Sequence, residues 1–175
     1  MRTSQTCLIL LGISIAATGS SYPGRVLGKP PEGYGTRLIA VGRFGEINVS
    51  SSSPHGLKAR GNDQLWLSLQ ETWGKSDMYV QENVWAPGGS SGWHSHPGHS
   101  LIIVTAGTVT DYEEHDPGCK GHVYKAGMGF VDPGGDHVHV LRNEGSVEAR
   151  TVAVQIVPAN ASRRIEAAEP GNCHF

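Results

Sequence analysis

Apolar and polar residues alternate along the chain in short runs that end at glycine or proline. Leucines at every second position of residues 64–69 fall on one face of an extended strand, and the run at residues 77–85 stops at a Pro-Gly turn. A period of two is typical of half-buried β-strands. Residues 162–168 form the one segment with a helix-like period. The pattern therefore predicts a chain made almost wholly of short strands.

Further runs continue to residue 157 and bring the total to about nine or ten short strands with regular turns. We expect an all-β fold, a sandwich or barrel of the jelly-roll type. The composition agrees, because 24 glycines and 10 prolines supply turns while charged residues make up 17% of the chain. At 175 residues the chain is long enough for one domain with a buried core.

The N-terminal residues have a different pattern from the remainder of the chain. Arg2 precedes an apolar run at residues 7–17, and small residues follow that run. This is the pattern of a cleaved secretory signal peptide, and the run is too short to span a membrane as a helix. The alternative is a buried N-terminal helix. We expect a signal peptide at residues 1–20, a Pro- and Gly-rich extended arm at residues 21–36, and a single barrel domain with a C-terminal tail at residues 37–175.

A signal peptide implies a secreted or periplasmic protein, in a compartment where disulfides persist. Cys7 lies in the expected signal, so Cys119 and Cys173 remain as an even pair. We expect a disulfide that ties the C-terminal tail to the loop containing Cys119. The alternative role for Cys119 is that of a catalytic nucleophile.

The charge distribution narrows the range of partners. The formal net charge is −2, and the chain has no basic run. Nucleic acid and anionic membrane surfaces are therefore poor candidates as partners, and no membrane span is expected in the mature protein. A small-molecule ligand is the partner that we expect.

Histidines in two stretches supply the candidate chemistry. His94, His96 and His99 follow a Gly- and Ser-rich loop, and His137 and His139 follow a second Gly-rich turn. Within a strand, residues two apart point to the same face, so each pair can offer two imidazoles to one wall. Imidazole is a suitable ligand for zinc, copper, iron and nickel. If both walls face the barrel interior, the two stretches can meet at one metal.

These two stretches resemble the two sequence motifs of the cupin family. Residues that match the first motif are Gly88, His94, His96 and Gly107. Residues that match the second motif, with one extra residue before the histidine, are Gly127, Pro133, Gly135, His139 and Asn143. The resemblance covers residues 87–143 and implies a cupin double-stranded β-helix, which is a jelly-roll barrel.

The resemblance also implies a site for a divalent transition metal, which could be iron, nickel, copper, manganese or zinc. The family's usual set is three histidines and one glutamate, but Ser100 stands at the glutamate position. The implied ligands are then His94, His96 and His139. Either His137 or His99 is a candidate for a fourth nitrogen.

The resemblance does not name an activity, because this fold carries enzymes, sugar binders, regulators and storage proteins. We expect an exported cupin that binds a small organic ligand beside its metal, and the missing glutamate favours this interpretation. One alternative is a metal-dependent oxygenase, lyase or isomerase, with His137 as a weak candidate for the catalytic base. A second alternative is a metal-free structural barrel. A homodimer is compatible with each interpretation.

Overall fold

The computed structural model describes residues 28–52 and 67–175, and these form twelve β-strands and no helix. The strands are β1 (Glu32–Phe44), β2 (Asn48–Ser52), β3 (Leu67–Glu71), β4 (Ser76–Ser90), β5 (His94–Ser95), β6 (Ser100–Ala106), β7 (Thr108–Glu113), β8 (His122–Lys125), β9 (Gly129–Asp132), β10 (His139–Arg142), β11 (Ala149–Pro158) and β12 (Ile165–Glu166). The predicted all-β jelly roll is confirmed. The predicted signal peptide lies outside the described residues.

Ten of these strands form one antiparallel sheet that wraps into the barrel. Its strand order is β12-β5-β10-β4-β11-β6-β9, with β1 added on β4 and the β7–β8 pair added on β10. The long strands β4 and β11 pair along ten residues of β11, from Ala149 to Pro158. Strands β2 and β3 form a separate hairpin. Two short strands, β5 and β10, therefore pair with each other inside a framework that the long strands provide.

Two segments differ from their predictions. Strand β1 begins at Glu32, so its first residues fall within the segment 21–36 that was expected to be an arm. Residues 162–168 are extended instead of helical, because β12 pairs with the free edge of β5. This backbone pairing with a distant strand outweighs the weak local helix-like period of that segment.

The main core lies between the inward-facing residues of the central strands. Along β6 and β11, buried and more exposed residues alternate strictly, as expected for strands with one face on the core. Trp85 and Val104 are fully buried in this core, and the Tyr34 ring packs on Trp85 with ring centroids 5.0 Å apart. These apolar side chains fill part of the barrel interior, and some of them also line the cavity described below.

A second cluster joins the C-terminal tail to the barrel. Trp93, Tyr112 and Val140 belong to it, together with Cys173 from the tail, and Cys119 packs against it. The Cα atoms of Cys119 and Cys173 are 5.2 Å apart, which is within the range that a disulfide spans. The tail is thus held next to Trp93, the residue that immediately precedes His94.

We expect reduction of the Cys119–Cys173 pair to destabilise the protein. The pair closes a loop with a sequence separation of 54, for which the chain-entropy treatment gives about 4 kcal/mol. Urea unfolding with and without reductant measures the difference, and the double variant Cys119→Ser/Cys173→Ser is the control that should not respond to reductant. An unfolding midpoint that reductant leaves unchanged in the wild-type protein would contradict this prediction.

Candidate metal centre

Three of the predicted histidines come together inside the barrel. His94 on β5 lies directly opposite His139 on β10 in the strand register, and His96 follows β5. The ring centroid of His94 is 4.7 Å from that of His139 and 4.8 Å from that of His96. Potential ligand atoms of the three side chains lie within 4.8 Å of one another. His94 and His139 are buried, and His96 is mostly buried.

Hydrogen bonds orient two of the three rings. Nδ1 of His94 donates to the carbonyl oxygen of Gly92 at 2.8 Å, and Nδ1 of His96 donates to that of Arg163 at 2.5 Å. A carbonyl oxygen can only accept, so Nδ1 carries the proton in both rings and Nε2 keeps its lone pair. Both Nε2 atoms are therefore available as metal ligands.

The third ring, His139, is held by a carboxylate. Its Nδ1 lies 3.2 Å from Oδ1 of Asp111, in a contact whose direction falls short of a good hydrogen bond. Its Nε2 is fully buried and has no hydrogen-bond partner. A buried imidazole nitrogen without a partner is costly unless a bound species satisfies it. The three-histidine set therefore fits a divalent transition metal.

The protonation of the cluster follows from its burial and its neighbours. Burial lowers the pKa of His94 well below its ordinary value, and the nearby His139 and Arg164 add to this effect. Burial also lowers the pKa of His96. For His139, burial acts in the same direction, but contact with the Asp111 carboxylate outweighs it and raises the pKa. His94 and His96 are thus neutral near pH 7, which is the form that binds metals.

A cavity of about 320 Å³ opens beside the three histidines. Its lining is mixed: the aromatic and aliphatic residues are Tyr34, Trp85, Ile102 and Leu141, and the polar residues include Gln81, Asn83, Gln155, Arg163, Arg164 and Glu166. The volume lies at the small end of the range for ligand sites in proteins. It suits a small organic molecule.

The two arginines of the cavity differ in their partners. Arg164 pairs with Glu166, which neutralises its charge, and also donates to the carbonyl oxygen of Ser91 at 2.8 Å. Arg163 donates to the side-chain oxygens of Gln155 and Gln81, which are neutral. Among the described residues, no carboxylate lies within ion-pair distance of Arg163. The cavity wall therefore carries one uncompensated positive charge.

His99 lies away from the cluster, which corrects its candidacy as a fourth nitrogen. The backbone bends at residues 97–98, and His99 lines a separate surface depression together with Trp73 and Ile156. The bend lies between His96 and β6, and the two histidines line different pockets. The structure does not support His99 as a ligand beside His96.

His137 is also displaced from its predicted position. It precedes β10 instead of lying on it, and it does not line the cavity. Its Nε2 lies 3.5 Å from Oε1 of Glu113, and its Nδ1 lies 3.6 Å from Oδ1 of Asp132. His137, Asp132 and His139 form a second group of potential ligands behind the first. This position does not support His137 as a base beside the cavity.

Three polar residues of the site were not predicted from the sequence: Asp111, Asp132 and Arg163. Asp132 is the last residue of β9, and the alternation in that strand turns it inward as it does Phe130. Its partner in the β6–β9 register is Ser100. Once β6 and β9 had been paired, the alternation of inward and outward residues along β9 could have shown that the Asp132 carboxylate faces inward.

The strands form a nearly closed antiparallel barrel with an inward-facing histidine cluster. Residues 83–155 match the family model described as "Cupin domain". The three clustered histidines lie inside the match, whereas Arg163 and Arg164 lie beyond it. No curated protein matches the chain.

Several solved structures are similar to part of the chain. An oxalate oxidase is 29% identical over 47% of this chain and 46% of its own, with a TM-score of 0.40. A protein with a double-stranded β-helix domain from Klebsiella pneumoniae is 24% identical over 53% of this chain and 76% of its own, with a TM-score of 0.44. A protein from Thermotoga maritima, described as a predicted oxalate decarboxylase, is 21% identical over 48% of this chain and 82% of its own, with a TM-score of 0.39. The chain spans less than half of the oxalate oxidase that it matches.

We expect Asp111→Asn to lower the pKa of His139 in metal-free protein, because the Asp111 charge is what outweighs burial there. Above the His139 pKa of the wild-type protein, the ring should be neutral in both proteins. Between the two pKa values only the wild-type ring should be protonated, and below the pKa of the variant both rings should be protonated. NMR titration of the His139 imidazole measures both values. Glu148→Gln, a change at an exposed carboxylate distant from the ring, is the control. An unchanged pKa in Asp111→Asn would contradict the prediction.

Proposed function

We propose that the protein holds a divalent transition metal with His94, His96 and His139 and binds a small organic anion in the adjacent cavity. The observation that carries the proposal is the orientation of the three buried rings. His94 and His96 have Nδ1 engaged by a carbonyl oxygen, and His139 has Nδ1 facing a carboxylate, so Nε2 is free in each case. Acceptors placed behind the ligating rings in this way are typical of metal sites in proteins.

A bound metal would supply Lewis-acid chemistry and positions that remain open to an oxygen ligand. The three imidazoles are compatible with iron, nickel, copper, manganese or zinc. The chain itself keeps two of the rings neutral through burial and limits their rotation through the hydrogen bonds on Nδ1. Its contribution is therefore a pair of ligands, His94 and His96, that are already neutral and aligned before metal binding.

An anionic ligand is supported by the charge of the cavity. Arg163 is the one lining cation of the described residues without a carboxylate partner, and the amide oxygens of Gln81 and Gln155 hold its guanidinium in place. The guanidinium carbon also lies 4.2 Å from the centroid of the Tyr79 ring. A planar guanidinium held on one side is suited to bidentate contact with a carboxylate on the other side.

Binding is favoured over catalysis by the same residues. Glu166 is the only carboxylate among the described residues that line the cavity, and Arg164 already engages it. Burial raises the pKa of Tyr34, the lining phenol, to about 12, so this group holds its proton at neutral pH. The cavity thus offers no free acid or base of suitable pKa beside the three ligands.

Export is also part of the proposal. The N-terminal pattern of residues 1–20 supports it, and so does the proximity of Cys119 and Cys173, since disulfides are rare in reducing compartments. Among the described residues, no helix has the length and hydropathy to cross a membrane. A homodimer stays a prediction. Apolar side chains exposed on β1, such as Leu38, Ile39 and Val41, are compatible with it.

We expect about one equivalent of a transition metal in protein purified without a histidine tag, measured by elemental mass spectrometry. His96→Ala should lose this metal, because it removes one of three ligands. His99→Ala is the matched control, a neighbouring histidine outside the cluster, and should retain it. Metal content that is the same in all three proteins, or absent after reconstitution with each candidate metal, would refute the proposed site.

We expect Arg163→Gln to weaken binding of small carboxylates to the metal-loaded protein by at least about tenfold, since a hydrogen bond between charged groups is lost. Calorimetric titration with acetate and with a short dicarboxylate measures the change. Arg150→Gln, at a surface arginine paired with Glu148, is the control. Equal affinities for the wild-type protein and Arg163→Gln would count against an anionic ligand at this wall.

A further inference from the structure

A buried carboxylate lies directly across the strand pair from Ser100, the position at which the first cupin motif lacks its glutamate. Ser100 and Asp132 are partners in the β6–β9 register, and both side chains face inward. Oγ of Ser100 donates to Oδ2 of Asp132 at 3.4 Å. The carboxylate absent from position 100 is thus present one strand away, on the residue directly opposite.

The surroundings of Asp132 do not balance its charge. Its side chain is fully buried, and no lysine or arginine of the described residues lies within ion-pair distance. Oδ1 accepts from the backbone N–H of Gly134 at 2.9 Å and lies 3.6 Å from Nδ1 of His137. Oδ2 lies 3.6 Å from Nε2 of His96, the nitrogen that its ring leaves free. A buried anion is costly without a cation close by.

The backbone holds Asp132 and His96 in this arrangement. The N–H of Gly135 donates to the carbonyl oxygen of His96 at 2.7 Å, so the Gly-rich turn after Asp132 is bonded to the residue that follows β5. Gly134 has a φ of +70°, and a Cβ atom at this position would collide with the backbone of Gly98. Both the conformation and the close approach require glycine there. The position of the carboxylate is thus a product of the fold.

We propose that Asp132 supplies the carboxylate ligand of the metal held by His94, His96 and His139, in place of the glutamate that the first motif lacks. This inference rests on the proposed metal site. Oδ2 is the oxygen on the side of His96, and Oδ1 stays engaged by the turn. The acidic ligand thus lies on β9 instead of β6, and its negative charge offsets part of the positive charge of the metal. A carboxylate favours harder ions, so Asp132 should matter more for manganese than for copper.

Mn(II) titration of metal-free, full-length protein tests the inference, with free Mn(II) followed by electron paramagnetic resonance. Asp132→Asn keeps an oxygen for the Gly134 N–H but removes the charge. It should weaken Mn(II) binding by at least about tenfold and Cu(II) binding by less. Ser100→Glu/Asp132→Asn returns a carboxylate to the other strand and should regain most of the lost affinity.

Three single-histidine variants separate this inference from the proposed function. His137→Ala removes the imidazole beside Oδ1 and should keep wild-type Mn(II) affinity, whereas His96→Ala should lose it. Wild-type affinity in Asp132→Asn, with loss in His96→Ala, would overturn the role of Asp132 and leave the three-histidine site standing. Loss in His137→Ala with retention in His94→Ala would place the metal in the group of Asp132, His137 and His139, and would overturn both.

A measurement on the wild-type protein keeps the inference testable if Asp132→Asn does not fold. Zn(II) is added to metal-free protein labelled with ¹³C at aspartate carboxyl groups. The Asp132 signal should shift at one equivalent, by more than the signal of Asp111, which faces the far side of His139. An Asp132 signal that does not move while the histidine signals do would overturn the inference.

Discussion

The pairing of His139 opposite His94 is the constraint on which the site depends. Successive residues of a strand point to opposite faces, so a slip of one position would turn one imidazole out of the barrel. The long strands β4 and β11 prevent such a slip, because each residue from Ala149 to Pro158 has a fixed partner. Backbone hydrogen bonds of ordinary strength therefore help to determine side-chain distances of a few ångströms in the histidine cluster.

Burial then sets the chemistry of the cluster. Imidazoles removed from water lose affinity for protons, which prepares His94 and His96 for a metal. The same burial makes every uncompensated charge expensive, so the positions of Asp111, Asp132 and Arg163 are informative. Asp111 and Asp132 are carboxylates that lie beside the histidine rings, and Arg163 is a guanidinium that faces an open cavity. The arrangement is balanced when a cation occupies the cluster and an anion occupies the cavity.

The fold and the three histidines could be predicted from the sequence because their signals are local: a period of two, Gly-rich turns and short motif spacings. The position of Asp132 could not be predicted, because it depends on the pairing of Asp132 with Ser100 between β6 and β9, which no residue spacing along the chain reveals. The place of Arg163 in the cavity wall could not be predicted for a similar reason. The pairing of β12 with the edge of β5 outweighs the weak helix-like period of the segment that contains Arg163. His137 precedes β10 because that strand begins two residues later than the pattern indicated.

The C-terminal segment has a consequence for the order in which the molecule is assembled. The strand that carries His94 has β12 on its free edge, and the carbonyl oxygen that orients His96 belongs to Arg163. Both contacts join residues far apart in sequence, and contacts of this kind form late in folding. A nascent chain lacking its last residues would thus have all three histidines but neither the acceptor behind His96 nor the charged wall of the cavity.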